Sequence, residues 1–190
     1  NKFICASNAN NVLTEFLNTG LYNRCRTFHT TISPSMDILV SSNLERLLFD
    51  VTNGDTDKVS KWMNELSSAG KYQVDEDILK KLHEYFYAGF CDDAATKATI
   101  KEMYNTEHYL CDTHTAVAVN VYKQYVSDTG DNETPAIIVS TASPYKFANS
   151  VLSAVSENYD NEGSEFAKVK ELSAITGTSV PKQIAELEEK

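Results

Sequence analysis

A run of small hydroxylated side chains, Ser-Thr-Ala-Ser at residues 140–143, is the part of the sequence best suited to hold a ligand. Small side chains let an aromatic ring approach the backbone, and the hydroxyls of Ser140 and Thr141 can hydrogen-bond to it. In an open α/β sheet, ligands bind at the carboxyl ends of strands, where such loops lie. The alternative is an ordinary turn between a strand and a helix, and spacing alone does not decide between the two.

A second cluster has residue types that could bind a metal ion: His108, Cys111, Asp112 and His114 lie close together in the sequence. Imidazole and thiolate groups are common zinc ligands. A structural zinc site usually needs two paired sets of ligands, however, and the sequence contains no second set. We therefore expect no metal here, and Asp112 or Thr113 is more simply explained as the cap of a following helix.

The elements that would position these residues follow from hydrophobic spacing. Residues 136–139, Ala-Ile-Ile-Val, predict a strand buried on both faces. Ser143 is a good N-cap and Pro144 suits the first turn of a helix, whose apolar face would comprise Phe147, Val151, Leu152 and Val155. Residues 3–6 predict another strand, followed by a polar turn and a helix that ends near Gly20. Two strand–turn–helix units favour a parallel sheet covered by helices.

The middle of the chain has a purely helical pattern after a short strand predicted at residues 28–32. Acidic or amide caps precede each apolar stripe, and glycines follow several of them. The predicted helices begin at Ser42 or Asn43, at Asp55 or Asp57, at Asp75, and at Asp92 or Asp93, with the third expected to run as far as Gly89. Further helices are predicted at residues 115–126, 165–172 and 181–188.

Composition narrows the class of protein. The chain has 190 residues, is 42% hydrophobic and 23% charged, and carries a formal net charge of -10. Such a charge argues against a general nucleic-acid or anionic-membrane binder, which would present a basic face. The scattered cysteines form no paired motif, so we expect free thiols and a cytoplasmic protein. The chain begins without Met and stops inside a helical pattern, so we expect it to be a piece of a longer protein.

Four segments together resemble threonine synthase. Residues 33–38, Ser-Pro-Ser-Met-Asp-Ile, with Asn-Leu-Glu-Arg at 43–46, look like a Ser-x-x-Met-Asp and Asn-x-x-Arg segment of that family. Residues 5–11 resemble its Ala-Thr-Asn-x-Asn-Asp strand and turn. Residues 112–118 and 140–147 are similar to its Asp-Pro-His-x-Ala-Val-Ala and Thr-Ala-His-Pro-Ala-Lys-Phe pair, in the same order. Collinear motifs are more specific than any single one.

The resemblance implies an α/β fold, namely part of a parallel sheet flanked by helices as in the tryptophan synthase β-like enzymes of fold type II, here helix-rich. Residues 1–190 would be the C-terminal part of the large domain, with a helical insertion at about 43–111. The family uses pyridoxal 5'-phosphate to convert O-phosphohomoserine and water to threonine and phosphate. Its Schiff-base lysine and glycine-rich phosphate loop would lie in the N-terminal half, which would be this chain's partner. We therefore expect the fragment alone to be inactive and not to bind the cofactor.

The resemblance also implies one cofactor contact. The family's threonine beside the pyridine nitrogen corresponds to Thr141, the residue already singled out in the hydroxylated turn, and Ser140 is an alternative one position away. Ser143 stands where the family usually has His, and Thr113 where it has Pro, which weakens any role for those positions. His114 is as well explained by packing or helix capping as by catalysis.

Two other functions stay open from the sequence. One is an α/β interaction module without catalysis, and the other is a small zinc-binding domain built on the cluster around Cys111.

Overall fold

The computed structural model describes residues 2–188 and shows two compact units. The first unit comprises residues 2–91 and Val121–Thr134, and the second comprises Asp92–Asn120 and residues 135–188. The helix-rich α/β class predicted from the sequence is confirmed.

The first unit contains a parallel pair of strands. Strand β1 (Phe3–Ser7) pairs with β4 (Phe86–Phe90), with Cys5 opposite Ala88. Helix α1 (Val12–Thr19) follows β1 and packs on both strands. The remaining elements of this unit are β2 (Leu21–Asn23), α2 (Leu44–Val51), α3 (Thr56–Ala69), β3 (Lys71–Gln73) and α4 (Glu76–Tyr85).

The core of the first unit is rich in aromatic rings. Strands β2 and β3 are antiparallel and place Tyr22 directly opposite Tyr72. Both rings are buried, together with Phe16 from α1 and Trp62 from α3. Contacts between aromatic rings are attractive beyond the effect of the area that they bury. This cluster therefore holds the short antiparallel pair β2–β3 against helices α1 and α3.

The second unit is helical. Helix α5 (Asp93–Glu107) precedes α6 (Thr113–Thr129), whose first two turns belong to this unit. A short 3-10 helix (Pro144–Phe147) leads into α7 (Ala148–Val155). Helices α8 (Glu165–Thr176) and α9 (Lys182–Ala185) complete it. Helix α7 packs against α5 and α8, which buries Val151, Leu152 and Leu172 completely.

The strand predicted at residues 136–139 is not formed, which corrects the sequence prediction. The segment is extended coil, with Ile137 93% exposed and Val139 71% exposed. A strand needs a neighbour to satisfy its backbone groups, and within residues 2–188 no other strand pairs with this segment. The segment has the apolar composition of a buried strand, but no strand among the described residues pairs with it.

Two further predictions in the first unit are wrong. The helix expected to run as far as Gly89 ends at Tyr85, and Phe-Tyr-Ala-Gly-Phe at residues 86–90 forms β4 instead. Aromatic residues favour strands, and pairing with β1 gives this segment a backbone partner. The short strand expected at residues 28–32 is irregular chain, in which Thr31 donates its backbone N–H and its hydroxyl to the Asp37 carboxylate.

Most helix boundaries follow the predicted caps. The Asp55 side chain accepts the Lys58 N–H at 2.9 Å, and the Asp92 side chain accepts the Ala95 N–H at 2.8 Å. Gly20 and Gly70 end their helices at positive φ angles of 76° and 73°, where a side chain would be strained. Within residues 2–188, no helix is both long and apolar enough to cross a membrane.

Candidate functional site

The hydroxylated turn at residues 140–143 lies in the second unit, immediately before the 3-10 helix. The Ser143 side chain caps that helix by accepting the Tyr145 N–H at 3.3 Å, and Pro144 occupies its first turn, as predicted. The Tyr145 hydroxyl donates to the Thr178 carbonyl at 2.8 Å, and its ring is buried. The carboxyl side of the turn is therefore anchored in the core of the second unit.

Ser140 and Thr141, the two residues proposed from the sequence as ligand contacts, are both exposed. Ser140 has its Oγ 3.0 Å from the Thr115 Oγ1. Within residues 2–188 the Thr141 hydroxyl makes no hydrogen bond, so it is accessible and available to a ligand. The two neighbouring hydroxyls thus differ in that one is tied to the protein and the other is not.

Asp112 is the buried charge behind this turn. Its side chain is fully buried, and its Oδ1 accepts the backbone N–H of His114 at 2.9 Å and lies 3.1 Å from the His114 Nδ1. Its Oδ2 accepts the Thr115 hydroxyl. Asp112 therefore caps helix α6, which was the simpler of the two sequence interpretations.

These hydrogen bonds keep Asp112 ionised. Burial alone would raise the pKa of the carboxyl group, but the donors from His114 and Thr115 favour the charged form and hold the pKa below its ordinary value. The pKa of the neighbouring Cys111 thiol is shifted upward instead. Burial and the negative charge of Asp112 raise this pKa to about 11. Cys111 is consequently a protonated, buried thiol at neutral pH.

The four residues weighed from the sequence as a zinc site, which we expected not to bind a metal, do not come together as one ligand set in the part of the chain that the structure describes. His108 ends α5 with a left-handed φ of 54°, whereas Cys111, Asp112 and His114 are buried at the start of α6. Among the residues that the structure describes, no group of three or more His, Cys, Asp or Glu side chains could hold a metal ion. His114 instead packs its ring against Phe147, with ring centroids 4.7 Å apart.

The first unit contains a second polar cluster, at the carboxyl end of β1. The Asp37 Oδ1 accepts hydrogen bonds from Asn8 Nδ2 at 2.7 Å, Asn10 Nδ2 at 3.0 Å and Thr31 Oγ1 at 2.7 Å. Asn8 also donates to the Ser33 Oγ at 3.0 Å, and Asn8, Asn10 and Ser33 are buried. The structure thus joins two of the sequence motifs, residues 5–11 and 33–38, through one carboxylate.

This second cluster was not predicted as a unit. Asn8, Asn10, Ser33 and Asp37 lie in the segments that resemble threonine synthase, but nothing in their spacing indicates that Asp37 accepts from both asparagines. Because Asn8, Asn10 and Thr31 all donate to the same Asp37 carboxylate oxygen, the cluster fixes the loop after Thr31 onto the end of β1. The role of Thr115 was likewise missed, since its partner Ser140 lies 25 residues away.

Comparison with known proteins gives one consistent result. Residues 115–190 match the family model described as "Threonine synthase, C-terminal". The chain is 42% identical over 164 residues to "Threonine synthase-like 1" of Homo sapiens, an alignment covering 86% of this chain and 22% of that protein. It is 39% identical over 176 residues to "Threonine synthase" of Saccharomyces cerevisiae, covering 85% of this chain and 34% of that protein.

Two solved structures agree with the sequence relatives. The crystal structure of threonine synthase from yeast matches with a TM-score of 0.83 at 33% identity, over 99% of this chain and 37% of that one. The structure of PLP-bound threonine synthase from Brucella melitensis matches with a TM-score of 0.75 at 34% identity, over 81% of this chain and 32% of that one. The chain thus spans between 22% and 37% of the length of these relatives. None of the matches supports an interaction module or a zinc domain.

Proposed function

We propose that the chain is the C-terminal portion of a pyridoxal-phosphate-dependent threonine synthase, because its sequence relatives and both similar solved structures are threonine synthases or threonine synthase-like proteins. The complete enzyme would act as a carbon–oxygen lyase, converting O-phosphohomoserine and water to threonine and phosphate in the cytoplasm. The observation that carries this proposal is the match to the yeast enzyme over 99% of the chain with a TM-score of 0.83.

In this proposal the chain is one part of the catalytic unit. Residues 1–190 would belong to the large domain, and the insertion expected at about residues 43–111 would be helical except for β3 and β4, the second of which pairs with β1. The remaining N-terminal portion would supply the Schiff-base lysine and the phosphate-binding loop. The chain on its own would then be inactive and would not retain the cofactor.

The exposed segment at residues 136–139 supports an assembly with that remaining portion. Ile137 and Val139 are β-branched and lie in solvent, which is costly for side chains of this type. Parallel sheets are normally covered on both faces, and a buried parallel strand has this composition. We therefore assign the segment as a strand of the complete enzyme, paired with strands from the N-terminal portion and leading into the turn that contains Thr141.

One feature of the turn supports a pyridoxal ring next to Thr141. Thr141 presents an accessible hydroxyl with no hydrogen-bond partner within residues 2–188, and its neighbours Ala142 and Ser143 are small. A hydroxyl can donate one hydrogen bond to a ring nitrogen, but it brings no formal negative charge. Thr141 would hold the ring nitrogen close to neutral and so moderate the ring's withdrawal of electrons.

When bound, the cofactor supplies the electron sink for the reaction, and the protein supplies orientation and electrostatics. Thr141 would orient the ring by its hydrogen bond. The anchored 3-10 helix behind it, through Ser143 and Tyr145, would keep that hydroxyl in place. A carboxylate in the position of Thr141 would instead favour a protonated, positively charged ring nitrogen, which withdraws electrons more strongly.

The proposal is tested in the full-length enzyme with Thr141→Val, which keeps the shape of the side chain and removes the hydroxyl. We expect kcat/KM for phosphate release from O-phosphohomoserine to fall about two- to tenfold, the value of one ordinary hydrogen bond. Thr141→Ser, which keeps a hydroxyl, is the matched control and should retain most of the activity. Because the Thr141 hydroxyl makes no hydrogen bond within residues 2–188, thermal unfolding of the cofactor-free enzyme should be the same in all three proteins.

Two results would count against the proposal at different levels. Unchanged kinetics and an unchanged cofactor absorption spectrum in Thr141→Val would remove Thr141 from the cofactor site. A full-length protein that binds pyridoxal phosphate but releases no phosphate from O-phosphohomoserine would overturn the assigned reaction.

A further inference from the structure

Tyr72 lines a small cavity in the first unit. The cavity has a volume of about 180 Å³ and lies between the tyrosines of β2 and β3, the loop at residues 40–42, and side chains of α2 and α3. The Tyr72 side chain is buried, and its hydroxyl has no hydrogen-bond partner within residues 2–188. Buried polar groups are nearly always hydrogen-bonded in folded proteins, so this hydroxyl needs an explanation.

The Tyr72 ring is held in place by its neighbours. It stacks on Tyr22 and on Trp62, whose ring centroid is 6.1 Å away. Tyr22 and Tyr72 are directly opposite in the antiparallel pair, so both side chains project from the same face. The Tyr22 hydroxyl reaches the loop before α2, where it accepts the Ser41 N–H at 2.8 Å. The Tyr72 hydroxyl beside it has no such contact, and the cavity adjoins both rings.

The size and the lining of the cavity restrict what it can hold. An apolar cavity of roughly 150 Å³ is large enough to bind benzene, so this cavity can hold one six-membered ring. Leu44, Met63 and Leu66 give it an apolar wall, and the exposed Glu45 lies at its edge. Among the described residues that line the cavity, none is basic, so an anion such as phosphate would meet no opposite charge.

We propose that this cavity binds a small neutral molecule with one ring and one oxygen atom, a phenol or a cyclic alcohol, whose oxygen accepts a hydrogen bond from the Tyr72 hydroxyl. Burial raises the pKa of Tyr72 far above its ordinary range, so the hydroxyl keeps its proton at neutral pH and can donate it. The ring of the ligand contacts Leu44, Met63 and Leu66. The site goes beyond the proposed function, because it needs no cofactor and all of its lining residues belong to the first unit.

The first test asks whether phenol enters the cavity of the full-length enzyme. Methionine methyl groups labelled with ¹³C are observed by NMR during a phenol titration, and Met63→Leu identifies the Met63 signal. We expect this signal to shift with a dissociation constant on the order of 1 mM, an ordinary affinity for about seven non-hydrogen atoms. Met36 and Met103 do not line the cavity, so their signals should stay unchanged. The titration itself uses the wild-type protein and does not depend on whether a variant folds.

The second test measures the hydrogen bond. The dissociation constants of phenol and of toluene, which has a similar shape but no hydroxyl, are compared in the wild-type enzyme and in Tyr72→Phe. We expect the substitution to weaken phenol binding about two- to tenfold, the value of one neutral hydrogen bond, and to leave toluene binding unchanged.

Three outcomes would overturn the proposal. An unshifted Met63 signal at about ten times the expected dissociation constant would mean that water or a side chain of the N-terminal portion fills the cavity. Equal losses of phenol and toluene affinity in Tyr72→Phe would mean that the ligand makes no hydrogen bond with Tyr72. Tighter binding of the cation cyclohexylammonium than of phenol would make the Glu45 carboxylate the polar partner instead. None of these readouts depends on phosphate release, so they are independent of the proposed function.

Discussion

Tyr22 and Tyr72 stack face to face, with ring centroids 5.3 Å apart and ring planes 5° from parallel. They are partners in the antiparallel pair β2–β3, so the stack is a cross-strand pair on the buried face of two very short strands. Their hydroxyl groups have different surroundings. The Tyr22 hydroxyl accepts the Ser41 N–H at 2.8 Å and donates to the Leu39 carbonyl at 3.2 Å. The Tyr72 hydroxyl is buried and has no hydrogen-bond partner within residues 2–188.

This difference predicts opposite effects of the same substitution. Burial raises the pKa of Tyr72 far above its ordinary range, which reflects the cost of placing this hydroxyl in an apolar site. Tyr72→Phe should therefore raise the free energy of unfolding by about 1 kcal/mol, measured by urea denaturation. Tyr22→Phe is the matched control and should lower it by about 1–2 kcal/mol. A Tyr72→Phe protein less stable than Tyr22→Phe would contradict the assignment.

The buried carboxylate of Asp112 predicts how stability depends on acid. Its pKa is lowered in the folded protein by hydrogen bonds that outweigh burial, and unfolding returns it to the ordinary value near 3.9. The unfolded chain therefore binds more protons between the two pKa values. The Asp112 contribution is complete above about pH 4 and is lost as the pH falls through the lower, folded pKa.

Asp112→Asn tests this prediction because it removes the charge while keeping a side chain of similar shape. Hydrogen bonds to a charged group contribute about 1.5–3 kcal/mol, so we expect a loss of this size at pH 7. In unfolding curves measured from pH 7 down to pH 2.5, the difference in the free energy of unfolding between the two proteins should shrink below about pH 4. A gap that stays constant across this range would show that Asp112 stabilises the fold through packing alone.

Local sequence signals explain much of the fold that was predicted correctly. The acidic caps Asp55 and Asp92 accept backbone N–H groups at the helix starts where they were expected. Gly20 and Gly70 end the helices before them. These features depend on residues within one turn of each other, so they can be read from spacing alone.

Features that depend on distant partners could not be read in this way. Residues 86–90 form a strand because β1 lies beside them, although their spacing continued a helical pattern. Residues 136–139 have the composition of a buried strand, yet no strand within residues 2–188 pairs with them. The same holds for the candidate site. The Asp112 cap could be predicted from its sequence neighbours, whereas the contact between Thr115 and Ser140, 25 residues apart, could not.

The four cysteines are free thiols in very different surroundings, which predicts their chemical reactivity. Cys25 is exposed, whereas Cys91 and Cys111 are buried and Cys5 is partly buried. Burial raises the pKa of Cys5 and of Cys111 to about 11. The thiolate is the reactive form of cysteine. Cys5 and Cys111, which are protonated at neutral pH, should therefore react slowly.

We therefore expect a single fast-reacting thiol in the native protein, Cys25. With iodoacetamide at pH 8, peptide mapping should find Cys25 alkylated at least about tenfold faster than Cys5 or Cys111, because only about 0.1% of a thiol with a pKa of about 11 is ionised at that pH. Cys25→Ser should abolish the fast phase, and urea should make the other three reactive. Rapid native alkylation of Cys111 would mean that the start of α6 opens to solvent, and the buried Asp112 carboxylate beside it would then lose the shielding on which its hydrogen bonds depend.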